Sequence, residues 1–457
     1  MRFKSTVALL LVLSFTLVSI SEIGIVKADC VIYIGSDGIV KGTDKILRDG
    51  NIYTFLGNIN IDSSAIHAIT VERDNIILDG AGYTLQGTGS GTGIFLFNCN
   101  NVTIKNIEVR NFAYGINSVS RAGHYQSNNH TISGNNITAN GNGMYIRSSH
   151  NIIVGNNISY NEDYGIDFSG SNNLLRNNTM DSNKYNFGVT SDPGNNDIDR
   201  SNTVNGKPIC YWFDVKDRTV PSDAGYVALI NCKNITVQNL QLSHNGEGII
   251  LVSTTDSTIT QNSITANRDE GIGLYQSSRN VISGNYIANN GRGSEVGVWG
   301  RGIGVSGSFE NQIIGNTITE NNGYAIRFTG DQRDNVFYHN NFIDNKVHEG
   351  LQVSMDKIFC LGLGNAWDNG EEGNYWSDYV TRYPNATEVD GSGVGDTAFY
   401  INENNQDSHP LMNPVDVNVI PEFPSWVLLF FSLAVFAVAV VIYKRRLTKN
   451  QSLEELM

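Results

Sequence analysis

Positive charge is scarce in this chain: 31 Lys and Arg stand against 45 Asp and Glu, a formal net charge of -14. That excludes a general affinity for nucleic acid or anionic lipid, since any polyanion would have to be met by a local cluster. Cysteine is scarcer, with five in 457 residues (Cys30, Cys99, Cys210, Cys232, Cys360). Five is odd and none forms C-x-x-C, so no disulfide framework is expected. Helical periodicity is missing from the repeats that fill the chain, which excludes a helical solenoid. Long apolar runs occur only near the two ends.

The first run, Val7 to Val18, follows Arg2 and Lys4 and precedes V-K-A ending at Ala28. Residues 1–28 therefore read as a secretory signal peptide. The second, Trp426 to Tyr443, carries no charge, is about as long as a membrane crossing requires, and is followed by K-R-R. The expected arrangement is an extracellular body on the outer face of the membrane, a transmembrane segment at 426–443 and a cytoplasmic tail at 444–457.

Asparagine and glycine are abundant instead. The blocks S-G-N-N-I-T, V-G-N-N-I-S, L-R-N-N-T-M, V-Q-N-L-Q-L, T-Q-N-S-I-T, S-G-N-Y-I-A, I-G-N-T-I-T and Y-H-N-N-F-I recur, mostly about every 22 residues. They align Asn135, Asn156, Asn177, Asn239, Asn262, Asn285, Asn316 and Asn340. After each block a glycine (Gly143, Gly165, Gly188, Gly248, Gly271, Gly302, replaced by Ala325) opens a short alternating segment. Strands this short bury nothing alone, but coils stacked at about 4.8 Å bury one continuous column. The expected fold is all-β, a parallel β-helix of about a dozen coils. Its inward residues include Val102 and Ile104, Ile152 and Val154, Ile249 and Leu251, and Ile272 and Leu274. The aligned asparagines read as an amide ladder and the glycines as corners needing positive φ.

The resulting organisation is a cap at 29–60, coils at 61–353 with an insertion at about 191–228, a second cap at 354–414 and a linker at 415–425. Insertions on a solenoid lie on its loops and commonly carry function.

Two charged clusters stand out. One is E-D-Y-G-I-D, whose Asp163 and Asp167 fall beside Tyr145 and Arg147 of the preceding coil. The other joins Glu247 to R-D-E, with Asp269 and Glu270 one coil later. Carboxylates of this kind could act as base towards a sugar C5 proton; solvated turn charges are the plainer reading. Tyr145, Arg147, Tyr164, Tyr275, Trp299 and Tyr324 place rings beside hydrogen-bonding groups, a mixture that suits sugar faces. D-G-S-G-V-G-D makes Asp390 and Asp396 candidate calcium ligands, although an EF-hand's third acidic position and distal Glu are lacking.

R-D-G-N-I-Y-T-F (Arg48 to Phe55), D-G-A-G-Y-T-L-Q-G (Asp79 to Gly87), N-T-V-N-G-K-P-I (Asn202 to Ile209) and G-N-Y-W-S-D-Y (Gly373 to Tyr379) form a familiar set. Together they resemble NosD-like right-handed β-helix proteins of archaea, grouped with carbohydrate-binding and sugar-hydrolase (CASH) domains. P-E-F-P-S-W, with Pro421, Glu422 and Phe423, resembles a PEF-type sorting signal, which implies processing by a sortase-like enzyme.

The resemblance implies two activities, copper supply in NosD proper and polysaccharide chemistry in the wider superfamily. Copper needs clustered soft or imidazole ligands, and the eight histidines are scattered. The hydrolase signatures N-T-D, D-D and G-H-G are absent, so a lyase or epimerase is favoured over a glycoside hydrolase. The reading that results is an exported, anchored protein that binds extracellular polysaccharide or a glycoconjugate. A structural or adhesive rod and a copper-delivery protein are the alternatives.

Overall fold

The computed structural model describes residues 30–62, 65–120, 127–190, 193–291, 300–346, 352–355 and 364–417. The leader at 1–28, Trp299, the sorting motif at Pro421, Glu422 and Phe423, and the apolar run 426–443 lie outside them. No helix among the described residues is long and apolar enough to cross a membrane.

One coil shows how the sequence makes the fold. Strands Thr131–Ser133, Asn136–Thr138 and Asn142–Arg147 follow one another around the axis, and Ile152–Val154 then lies parallel on the first. Ile132, Ile137, Met144 and Ile146 point in and are fully buried. Repetition gives three parallel sheets around one core, a right-handed parallel β-helix. Two sheets have three-residue strands in most coils; the third, the long-strand face, has strands of five or six residues, such as Asn142–Arg147 and Tyr164–Ser169.

Asparagine holds the corners. Asn135 donates its backbone N–H and its Nδ2 to Oδ1 of Asn156, at 3.0 and 2.9 Å, and Asn156 repeats this on Asn178. Asn262, Asn285, Asn316 and Asn340 form the equivalent column. Two expected members are displaced: Asn178 and Leu240 hold the places assigned to Asn177 and Asn239. Asn177 and Asn239 occupy the left-handed corner just before, with φ of 53° and 57°, a conformation asparagine tolerates. In N-I-I-V, where three apolar residues follow one another, the ladder residue Asn151 sets the phase; Ile153 points in and Ile152 is 43% exposed.

The six repeat glycines are needed for closeness, not for positive φ, which none of them has. A Cβ on Gly143 would stand 2.6 Å from the Gly165 carbonyl oxygen and 2.7 Å from Ile158 Cγ2.

The expected single column is interrupted. Asn205 and Gly206, at φ 47° and 74°, form a tight reversal that pairs Thr203–Val204 antiparallel with Lys207–Phe213. Asn-Gly suits such a turn because both central residues need positive φ. Lys207–Phe213 thus extends a short-strand sheet of the first half, and it begins the long-strand face of the second, giving one 14-stranded sheet. Its neighbour Tyr226–Ile230 is buried on both sides: Tyr226 and Ala228 join the first core, Val227 and Leu229 the second. Within the expected insertion, Lys207–Phe213 and Tyr226–Ile230 therefore form a wall shared by two stacked solenoids, which explains their unbroken apolar runs.

Parallel pairing begins at Cys30–Ile34, which lies on His67–Val71, ahead of residue 61. The antiparallel strands Val40–Lys41 and Ile46–Asp49 cover edges there. At the far end Trp376 stacks between Phe342 and Phe399, at 4.5 and 4.1 Å, and closes the second core.

Candidate functional site

On the first half's long-strand face, outward residues of successive coils align in a column: Phe95, Asn117, Tyr145, Asp167, Gly188. Phe95 stacks on His67 at 4.2 Å, and Tyr114 meets Tyr145 edge-on at 5.5 Å. Arg147 lies over the Tyr145 ring at 4.7 Å and grips both oxygens of Asp167 through Nη2, at 2.7 and 2.8 Å. Burial raises the pKa of Asp167, against the pull of Arg147. Phe95, Tyr114 and Tyr145 remain half-buried, with ring surface available.

The column ends where the halves meet, and there the two charged clusters become one. The backbone N–H of Asn186 donates to the His244 carbonyl at 2.6 Å, and that of Gly246 to Phe187 at 2.8 Å. These bonds seat the corner before Glu247–Val252 on the strand Tyr185–Val189. Arg268 then reaches Asp163 through Nε and Nη2, at 2.9 and 3.0 Å, and its own neighbour Asp269 at 3.3 Å. Tyr164 runs under the Arg268 guanidinium, 4.6 Å from ring to Cζ, and donates its hydroxyl to Asp269 at 2.8 Å. Its path crosses Gly188 and Gly246; a Cβ on Gly188 would meet the Tyr164 ring at 2.6 Å. Tyr164 is buried, so the sugar-binding role expected of it is corrected: it ties the two halves together.

Behind this pair sits Glu247, also buried, accepting from Tyr226 Oη at 3.1 Å and from the Val189 N–H at 3.3 Å. Burial, with Asp269 and Glu270 nearby, holds its pKa well above the usual carboxylate range. Glu270 is buried between Arg301 Nε, at 2.7 Å, and the Tyr275 hydroxyl, so both groups that could reach it are engaged. Tyr324 is the register neighbour of Arg301 on the next coil, farther from the seam. The structure thus joins Asp163, Asp269 and Glu247, leaves Tyr145, Arg147 and Asp167 one column away, and places Trp299 outside the described residues.

Sequence reasoning missed Tyr226, Arg301 and the pairing of Asp163 with Arg268. One signal was there: N-E-D-Y and N-R-D-E hold the same place in the repeat, so a shifted stack could bring them face to face.

Asp396, a candidate calcium ligand, holds a turn together. Its Oδ1 accepts from the Thr387 N–H at 3.0 Å and its Oδ2 from the Thr387 hydroxyl at 2.7 Å, pinning a hairpin whose exposed turn carries Asp390. These bonds lower its pKa.

Stacked parallel coils with a capped end and a solvent-facing long-strand sheet define a protein of the parallel β-helix class. The NosD model, described as a periplasmic copper-binding protein, matches residues 68–220 and 214–381. The chain belongs to the NosD family, and with it to a family described as periplasmic. It is similar in structure to the A-module of the mannuronan C-5 epimerase AlgE4 of Azotobacter vinelandii, at 20% identity over 70% of this chain and 84% of that one, with a TM-score of 0.32. The AlgE6 A-module of the same organism gives 16% identity, 69% and 78% coverage and a TM-score of 0.29. The periplasmic alginate epimerase AlgG gives 15%, 73% and 82% with a TM-score of 0.27. No curated protein matches the chain in sequence.

Among the described residues the side chains form no set that suits the copper of the family description. Among the described residues no three His, Cys, Asp or Glu converge as a metal set. His130 is buried, with Nδ1 accepting from the Val102 N–H at 3.3 Å and Nε2 on Ser127 at 3.1 Å. His339 is tied to Glu372, and Cys99, Cys210, Cys232, Met144 and Met180 are core residues.

Proposed function

We propose that this chain is an exported β-helix, anchored through residues 426–443, that binds polysaccharide or a glycoconjugate along the first half's long-strand face. One observation carries the reading: Phe95, Tyr114 and Tyr145 present partly exposed rings on successive coils, beside polar groups already fixed by Arg147 and Asp167. Rings supply stacking surface and preset hydrogen-bonding groups supply orientation, the combination that recognises a molecule with apolar faces and hydroxyl edges. Phe95 and Tyr145 stand two coils apart in one column, about 9.6 Å, with Tyr114 beside it on the coil between, so the track is suited to an extended chain more than to one sugar.

A glycan array probed with wild type and Tyr145→Ala tests this. Binding that weakens about tenfold, the effect of losing about 1.4 kcal/mol of stacking, is the expected result. Retained binding in both Tyr145→Ala and Tyr114→Ala would remove the face from consideration.

A further inference from the structure

Seven Asn-x-Ser/Thr sequons lie between residues 29 and 420, each a candidate acceptor for a glycosylating enzyme met outside the cell. Transfer to such an asparagine needs its amide nitrogen open to solvent and the hydroxyl two residues on free to bond that amide. At most of them one condition fails. Asn101, Asn157 and Asn234 donate Nδ2 to Asn75, Asn136 and Asp217, at 2.8, 3.0 and 2.7 Å. At Asn129 and Asn136 the paired hydroxyls, on Thr131 and Thr138, are half-buried within strands. At Asn385 the Thr387 hydroxyl is spent on Asp396.

Asn177-Asn178-Thr179 meets both conditions. The fully buried Asn178 takes the ladder place, which turns Asn177 and Thr179 outward on either side of it. Both are exposed, and neither side chain makes a hydrogen bond among the described residues. Asn177 sits at a left-handed corner, φ 53°, where the chain turns from Leu174–Arg176 into Thr179–Asp181, and Ser201 Oγ fixes that corner by accepting its backbone N–H at 2.8 Å. On the two preceding coils the same corner is Gly155 and Gly134, so no side chain screens the Asn177 amide from that direction. Nothing lies within 4 Å of where a Cβ on Gly155 would stand. The corner joins the two short-strand sheets and so lies opposite the long-strand face.

We infer, resting on the export in the reading above, that Asn177 is an N-glycosylation site whose donor is a lipid-phosphate-linked sugar. Asn177 Nδ2 bonds to the anomeric carbon, the bond from that carbon to the phosphate oxygen breaks with its electron pair leaving on the lipid phosphate, and the nitrogen gives up one proton. The Thr179 hydroxyl positions the amide. The attached sugar stands on the edge away from Tyr145, which leaves the ring column open.

Mass spectrometry of the full chain recovered from its native cells decides it. Trypsin cuts after Arg176 and Lys184 and releases a peptide, 177–184, that holds no second sequon. The expected result is a mass gain of whole sugar residues on Asn177, lost in Asn177→Gln and in Thr179→Ala and retained in Thr179→Ser. Glutamine fits the position, because Gln261 holds the corner between the two short-strand sheets of the second half at φ 53°. An unmodified 177–184 peptide from a chain that has lost residues 1–28 overturns the assignment and leaves export standing. The same peptide unmodified from a chain that keeps residues 1–28 overturns both.

Discussion

Asn156 shows what a single residue contributes here. Its Oδ1 accepts two bonds from Asn135, while its Nδ2 donates to the Ile132 carbonyl at 2.9 Å and to Asn178 at 2.9 Å. Each buried group left without its partner would cost about 1–3 kcal/mol, which is why asparagine recurs where chemistry alone would not call for it. His130 is a variation on the same device. It takes a ladder position, its Nδ1 accepting from Val102 as an asparagine oxygen would, and its own N–H donates to Asn151 at 2.9 Å. Burial lowers its pKa from 6.5 to about 4. The unfolded chain therefore binds a proton below pH 6.5 that the folded chain refuses until about pH 4. Stability present at neutral pH is lost as pH falls through that window, by up to about 3 kcal/mol. Chemical denaturation at stepped pH should show this slope, and His130→Asn should fold with the slope reduced. An unchanged slope in His130→Asn would mean that the acid sensitivity lies elsewhere.

At the scale of elements, the repeat was legible and its interruption was not. Periodic Asn and Gly declared coils because each corner needs the same two features. The phase of individual strands slipped at Asn177, Asn239 and Ile152, where asparagine serves two corner positions and three apolar residues in a row carry no alternation. The shared wall was half legible: Y-V-A-L-I reads as buried on both faces, and Asn205-Gly206 reads as a reversal. That the reversal places residue 163 against residue 268 depends on how two finished solenoids stack, which no local pattern states. The seam yields a prediction of its own. Gly188→Val would put a branched side chain where the Tyr164 ring passes, at a cost of about 1–3 kcal/mol. Calorimetry should show one unfolding transition in wild type and two in the variant, as the halves uncouple. A single transition at unchanged temperature would show that Tyr164 does not join them.

At the scale of the molecule, two solenoids end to end give a scaffold whose cores are fully occupied, leaving its faces and corners for recognition. Family membership was legible from the four motifs. Among the described residues the family's copper finds no converging donors, and His130 serves the ladder. The candidate residues were mostly legible as two separate clusters; their fusion and the burial of Tyr164 were not, since both follow from the seam, while Glu270 is covered by Arg301 and Tyr275 of its own half. The ring column of the first half runs into a seam of paired charges, where Arg268 holds Asp163 and Asp269. The most direct measurement is amide hydrogen exchange of the full chain with and without the polysaccharide that the glycan array selects. Added protection confined to Tyr114–Val119, Asn142–Arg147 and the corner 139–142 is the predicted result. Protection centred on the short-strand faces, with none on these segments, would contradict the account.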